Sequence, residues 1–223
     1  MKNVIAMDGP AASGKTTIGR MLAERLGYLF LDTGFMYRAV TLAALRRGVD
    51  VADETAVTHL SATLEIGARP PAAEEQDGRF YTALLDNQDI TWAIRAPEVD
   101  ANVSQVASYP GVRAEMVRQQ RTFAAKGHCV MVGRDIGTVV LPNAPLKLYI
   151  TASAEERARR RWHDRHQQGH AASYEAILAD VVRRDEIDSS REHSPLRPAD
   201  DAIIIDTTGR LPQAILEEIL NMR

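Results

Sequence analysis

An α/β fold on a doubly wound, five-stranded parallel sheet is what this sequence predicts, with helices on both faces, a small β-rich insert and a short lid. Three observations carry that prediction. Short apolar runs alternate with stretches whose apolar residues fall at helical spacing. A glycine-rich loop joins the first apolar run to the first helical stretch. One block, residues 64–92, breaks the alternation with turn residues and a strand-like pattern.

The elements follow in order. Residues 3–7 (NVIAM) form an apolar run closed by Asp8 and Gly9, as in a parallel strand buried on both faces. From Thr16, the spacing of Ile18, Met21, Leu22 and Leu26 predicts a helix that Gly27 ends. A second strand over 28–31 leads to a helix over 34–47, stopped by Gly48. Residues 54–64 read as a helix, 68–78 as a turn-rich break and 79–90 as a strand or hairpin. The 64–92 block is therefore expected as an insert in one 223-residue domain, with 1–63 and 93–223 as its core. Helical patterns fill 96–125, broken at Pro110 and Gly111. Strands over 129–132 and 146–150 follow, and Ser153 with Glu156 makes a capping box that opens a helix. Another helix is expected over 173 to about 189, then a last buried strand over 202–206. Leu211, Ile215, Ile219 and Leu220 mark a closing amphipathic helix.

Composition narrows the function classes. The 223 residues are 45% hydrophobic and 26% charged, which fits a globular chain and not a disordered one. Lys and Arg number 27 against 30 Asp and Glu, a net charge of −3 that argues against a general nucleic-acid binder. A single cysteine, Cys129, excludes an internal disulfide framework. With no signal-peptide pattern and no apolar span of membrane length, no membrane partner and a cytoplasmic location are expected. No amphipathic helix is left spare, so a monomer is expected. The basic residues are lopsided: 23 are Arg and only 4 are Lys. Genome bias would produce that, and so would a need for planar forks facing phosphate.

The loop decides the chemistry. Gly9, Pro10, Ala11, Ala12, Ser13, Gly14, Lys15 and Thr16 fit G-x-x-x-x-G-K-[ST], with a strand before and a helix after. Glycines let backbone N–H groups wrap a phosphate, and the helix N-terminus adds positive potential. In this reading Lys15 reaches the β- and γ-phosphates and the Thr16 hydroxyl binds Mg²⁺. That points to a nucleoside triphosphate with Mg²⁺ and leaves the acceptor open.

A guanine-specific switch protein would carry an Asn-Lys-x-Asp reader, which this chain lacks. Its one Asp-x-x-Gly, at 206–209, follows the last strand and reads as a turn. Residues 157–191 instead hold eight Arg and no Lys: Arg157, Arg159, Arg160, Arg161, Arg165, Arg183, Arg184 and Arg191. Arg157, Arg160, Arg161, Arg184 and Arg191 flank a polar segment, 163–172, and a lid over about 157–172 would bring guanidiniums onto a transferring phosphoryl group. His163, His166 and His170 share helical spacing without a carboxylate cluster to support a metal site. A phosphate acceptor needs no general base, because it is mostly dianionic at neutral pH. It needs cations, and Arg38 and Arg134 lie where α/β folds place ligands.

Several strings together resemble the bacterial cytidylate kinase family. They are GPAASGKTT (9–17), LDTGFMYR (31–38), IRAPEV (94–99), SQVASYPGVR (104–113), GRDIGTVV (133–140), RDEID (184–188) with Arg191, and SPL (194–196). The resemblance implies phosphoryl transfer from ATP with Mg²⁺ to CMP or dCMP, in pyrimidine nucleotide metabolism. It places the donor on residues 9–17, including Thr17, with Arg157 from the lid. It implies that Asp135 accepts from the cytosine amine while Ser104 and Arg113 donate to the other edge. Thr33, Arg38 and Arg134 would place the acceptor phosphate, Arg184 and Asp188 the sugar hydroxyls, and Arg191 would add charge between the phosphates. Lys15, Arg134, Arg184 and Arg191 are thus the catalytic set, and 64–92 the monophosphate-binding insert. Plainer readings stand beside these: Asp135 paired with Arg134 or Arg113, Ser104 a surface serine, Asp188 a solvated charge, Thr33 a helix cap. Val132 departs from the family, in which an acidic residue often precedes Gly-Arg-Asp, and this leaves Asp8 as the carboxylate nearest a Mg²⁺ role. The alternatives are another small-molecule P-loop kinase, with a different monophosphate or a hydroxyl acceptor, and a non-enzymatic nucleotide switch.

Overall fold

In the computed structural model, which describes residues 3–167, 173–191 and 194–222, two sheets organise the chain. The main sheet has five strands in the order β2-β6-β1-β7-β8: β1 Val4–Asp8, β2 Leu29–Asp32, β6 Cys129–Val132, β7 Leu146–Thr151 and β8 Ile203–Asp206. From β1 the chain winds first toward one edge and later toward the other, which is the double winding that the sequence predicts. The second sheet is antiparallel and has three strands: β3 Ile66–Arg69, β4 Thr82–Leu85 and β5 Gln88–Asp89. The chain divides into two compact units, one comprising Met1–Tyr28 and His128–Arg223, the other Leu29–Gly127.

In the first unit, β1 lies parallel to β6 (Val4 opposite Cys129, Met7 opposite Val132) and to β7 (Ile5 opposite Leu146, Asp8 opposite Tyr149). All five β1 residues are buried, which explains why the run is apolar without alternation. The carboxyl ends of these parallel strands share one edge, so the loops after Asp8, Val132, Thr151 and Asp206 emerge together. Helix α1 (Lys15–Leu26) starts at Gly14 and stops at Gly27, both at positive φ, and packs on β6 and on α8 (Pro212–Asn221). Helices α6 (Ala154–Gln167) and α7 (Tyr174–Ser189) pair around Ala158, Ile177 and Val181, flanked by Trp162 and Leu178. The last strand departs from expectation. β8 is an edge of the sheet among the described residues, and Ile204 is 61% exposed while Ile205 is buried, so only one face of the strand is covered.

In the second unit, α2 (Gly34–Arg46) is buried almost all round and packs against α3 (Glu54–Thr63) and α4 (Pro97–Val106). The expected break in the following helical pattern falls just before Pro110, where α5 (Pro110–Ala125) begins. Gly111 lets α5 approach α3 closely, since a Cβ there would lie 2.3 Å from the Thr58 methyl carbon. The β4–β5 hairpin turns at Asp86 and Asn87, with φ of 50° and 64°, the left-handed pair a type I′ turn requires. Arg79, almost wholly buried in this region, joins Asp77, Glu75 and Asp89. Glu75 is held down to about 2, chiefly by its hydrogen bonds from Arg69 and then by the Ala72 amide. Strand β3 lies between the expected helix over 54–64 and the expected hairpin over 79–90, where no separate strand is expected.

Candidate active site

The glycine-rich loop occupies residues 9–14, between β1 and α1. Gly9 sits at φ +149°, and a Cβ there would fall 2.0 Å from the Ile150 carbonyl oxygen, so only glycine lets the loop leave β1 this close to β7. Helix α1 opens with neither a side-chain cap nor an acidic residue in its first turn, an arrangement that suits an anion at a helix N-terminus. Lys15 is buried and curls back so that its Nζ donates to the Pro10 carbonyl at 2.8 Å. The Ser13 hydroxyl, fully buried, has no hydrogen-bond partner among the described residues. A buried polar atom inside a loop of this shape is the mark of a site built for a polar ligand.

Helix α6 braces the loop from two positions. Arg160 donates to the Thr207 hydroxyl (3.0 Å) and carbonyl (2.7 Å), and the Thr207 hydroxyl donates to the Ser13 carbonyl (2.9 Å). One turn earlier, Arg157 donates to the carbonyls of Ala152 (2.9 Å) and Ala11 (3.4 Å) and pairs its fork with both oxygens of Asp185. Arg157 is thus buried against the loop's own backbone. Beside the loop lies a cavity of about 340 Å³, lined by Gly14, Thr17, Arg160, Thr207, Arg210 and Pro212 among others. Thr207 lies in the stretch 206–209 that is expected only as a turn; its signal is a polar residue just past a parallel strand's carboxyl end.

The loop after β6 carries the second group. Arg134 Nε donates to Asp188 Oδ2 at 3.0 Å, and Arg191 donates to Asp188 Oδ1, so one buried carboxylate gathers two guanidiniums. Arg184 lies one turn before Asp188 on α7. Asp135 is 5% exposed and begins the π-helical turn Ile136–Val140 without capping it. That cap comes from Asp8, whose Oδ1 accepts from the Ile136 amide and Oδ2 from the Gly137 amide, both at 2.7 Å. Burial pushes the Asp8 carboxyl up to about 6, against these two hydrogen bonds, which lower it.

In the second unit, Arg38 on α2 donates to the Ile94 carbonyl at 3.0 Å and pairs with Asp100. Arg113 on α5 is buried, lies 5.6 Å from the Tyr37 ring centre and donates to the Ala107 carbonyl at 3.2 Å. Thr33 occupies the cap position of α2, but its side chain makes no capping hydrogen bond; Asp32 accepts from the Gly34 amide instead. Ser104 is exposed on α4.

Among the described residues, no three His, Cys, Asp or Glu groups come together as a metal site. His163 bonds Gln167 and His166 stacks on Trp162, while His170 lies outside the described residues. Of the segment expected as a lid, residues 157–167 are helical and 168–172 lie outside the described residues. No helix of the described residues is long and apolar enough to cross a membrane.

The chain's similarity to known proteins follows the same lines. The family model for cytidylate kinase matches residues 5–223. A cytidylate kinase of Chloroflexus aggregans is 49% identical over 217 residues, spanning 97% of this chain and 92% of the relative. That of Herpetosiphon aurantiacus is 46% identical over 220 residues, spanning 99% and 93%. A crystal structure of an uncharacterized Eubacterium ventriosum protein superposes over 99% of this chain and 98% of its own with a TM-score of 0.54 at 12% identity, a likeness of fold.

Proposed function

The chain belongs to the cytidylate kinase family, and from that premise we propose that it transfers the γ-phosphoryl group of ATP to the phosphate of CMP or dCMP. The products are ADP and CDP or dCDP. The observation that carries the proposal is the shared carboxyl edge of β1 and β6, which sets a phosphate loop beside the Gly-Arg-Asp loop.

The chemistry is positioning plus electrostatics. Loop residues 9–17 and Lys15 hold the donor phosphates, and the cavity beside Thr207 and Arg210 receives the donor nucleoside. Arg157 acts from behind, fixing the Ala11 carbonyl and so the loop's shape. Mg²⁺ fits the donor set: Thr16 offers one hydroxyl, and with no carboxylate cluster among the described residues the other ligands would be phosphate oxygens and water. When bound, it supplies charge neutralisation between the phosphates. Both Asp8 oxygens are engaged by amides, so Asp8 serves the backbone here.

The acceptor phosphate attacks as its own dianion, its oxygen forming a bond to the γ-phosphorus as the β–γ bridging bond breaks. Arg134 and Arg191 stabilise the charge on the transferring group, and Asp188 holds both guanidiniums in place before substrate arrives. Arg184 and Asp188 take the sugar hydroxyls. Arg38 releases Asp100 to take the acceptor phosphate with Thr33. Asp135 accepts from the cytosine amine, and Arg113 and Ser104 donate to its other edge; uracil would set a carbonyl against the Asp135 carboxylate. A coupled ADP-release assay over CMP, dCMP, UMP, AMP and shikimate tests this. CMP and dCMP are expected to lead, and equal rates on CMP and AMP would overturn the pocket assigned to Asp135.

A further inference from the structure

We infer that Asp8 is a positioning residue for the acceptor, setting Arg134 and Asp135 by capping the π-helical turn that follows them. The inference rests on the acceptor reading of the Gly-Arg-Asp loop. Asp8 ends β1 and is bonded through the chain to Gly9, the first residue of the phosphate loop. Its two oxygens accept from consecutive amides, Ile136 and Gly137, at the start of a turn whose own first residue makes no cap. A carboxylate at such a terminus satisfies otherwise orphan N–H groups and faces the positive end of the turn's dipole. The carboxylate thereby fixes the peptide joining Asp135 to Ile136, and with it the direction in which Asp135 and Arg134 leave the backbone.

A second feature bears on the same contact. A Cβ at Gly137 would lie 3.3 Å from Asp8 Oδ2 and 3.3 Å from the Lys147 side chain, so a side chain at 137 would crowd the carboxylate by a few tenths of an ångström. β-Strand pairing brings the two loops to one edge, where the Gly133 amide donates to the Met7 carbonyl at 2.9 Å. It does not orient residues 134–136; the Asp8 side chain does. Asp8 thus joins the donor loop, through its own backbone, to the acceptor loop, through its carboxylate.

The test is Asp8→Asn, which keeps size but turns one of the two accepting atoms into a donor facing an N–H. The expected result is a rise in KM for CMP of about ten- to one-hundred-fold, the scale of one lost charge-assisted hydrogen bond. The CMP-over-UMP preference falls with it, while KM for ATP and the Mg²⁺ dependence stay within about two-fold. A variant with altered ATP or Mg²⁺ dependence and unaltered CMP kinetics would overturn the inference, as would wild-type parameters throughout. Should Asp8→Asn fail to fold, Gly137→Ala presses on the same carboxylate from the other side and must show the same acceptor-selective pattern. Amide hydrogen exchange at Ile136 and Gly137 needs no substrate: it should quicken in Asp8→Asn, and unchanged protection would sink the inference. A wild-type chain that releases no ADP with CMP would instead refute the functional reading, and the exchange measurement would still decide the cap.

Discussion

Asp8 also makes a quantitative prediction about stability. Burial lifts its carboxyl from 3.8 to about 6, with Asp135 pushing the same way and the Ile136 and Gly137 amides and Lys15 opposing. The folded chain therefore holds this proton more tightly than the unfolded chain does. Stability from the group is complete below pH 3.8 and is lost as pH rises through 6. Two units at about 1.4 kcal/mol each give a swing of about 3 kcal/mol. Asp8→Asn removes the titration and keeps the shape. Its lost hydrogen bond shifts the comparison by an amount that does not depend on pH. Urea unfolding of both proteins between pH 4.5 and 7.5 should show the wild type losing most of that 3 kcal/mol relative to the variant as pH rises. The Asp135, Lys15 and Tyr149 groups around Asp8 are common to both proteins and largely cancel. A stability difference that stays flat with pH would refute the reasoning.

Other outcomes follow from the same geometry. Lys15→Ala should abolish turnover with every acceptor, by at least about a hundred-fold in kcat, whereas Asp135→Ala should lose mostly the CMP-over-UMP preference; steady-state kinetics on both nucleotides separates them. Arg69→Ala removes the group that chiefly holds Glu75 down, a guanidinium whose fork donates to both Glu75 oxygens at 2.8 Å. Because Glu75 is held near 2, its stabilising share is present above about 4.5 and lost as pH falls toward 2. Acid unfolding of the second unit, followed through Trp92, which donates to Asp77, should then begin at higher pH in the variant. Asp53 caps α3 by accepting from the Ala56 amide at 2.9 Å, and Asp53→Ala should cost about 1 kcal/mol in thermal or denaturant unfolding.

The fold was legible wherever local chemistry and tertiary context agree. The apolar run ending at Asp8, the glycines at 14 and 27, and the proline at 110 mark element ends that the structure keeps within a residue or two. Ile204 misled because three consecutive isoleucines read as a buried strand, while the strand's place at the sheet edge is set by long-range order that no window contains. Strand β3 was hidden because Gly67 and Arg69 carry no alternation; its pairing with β4 comes from outside its own sequence. At the candidate site, motifs gave residue identities but not partners. That Asp188 gathers Arg134 and Arg191, that Arg157 turns inward to Asp185 and Ala11, and that Asp8 spends both oxygens on amides are consequences of packing. Each joins residues more than twenty positions apart or depends on a backbone turn, so spacing alone could not reveal them.

The proposed reaction moves a phosphoryl group from ATP to a cytidine monophosphate. Incubation of the chain with Mg²⁺, CMP and ATP labelled at the γ-phosphate, followed by separation of the nucleotides, tests it most directly. Label should appear in CDP, formed one for one with ADP and dependent on CMP. Label released as free phosphate, or carried by AMP or shikimate as readily as by CMP, would contradict it.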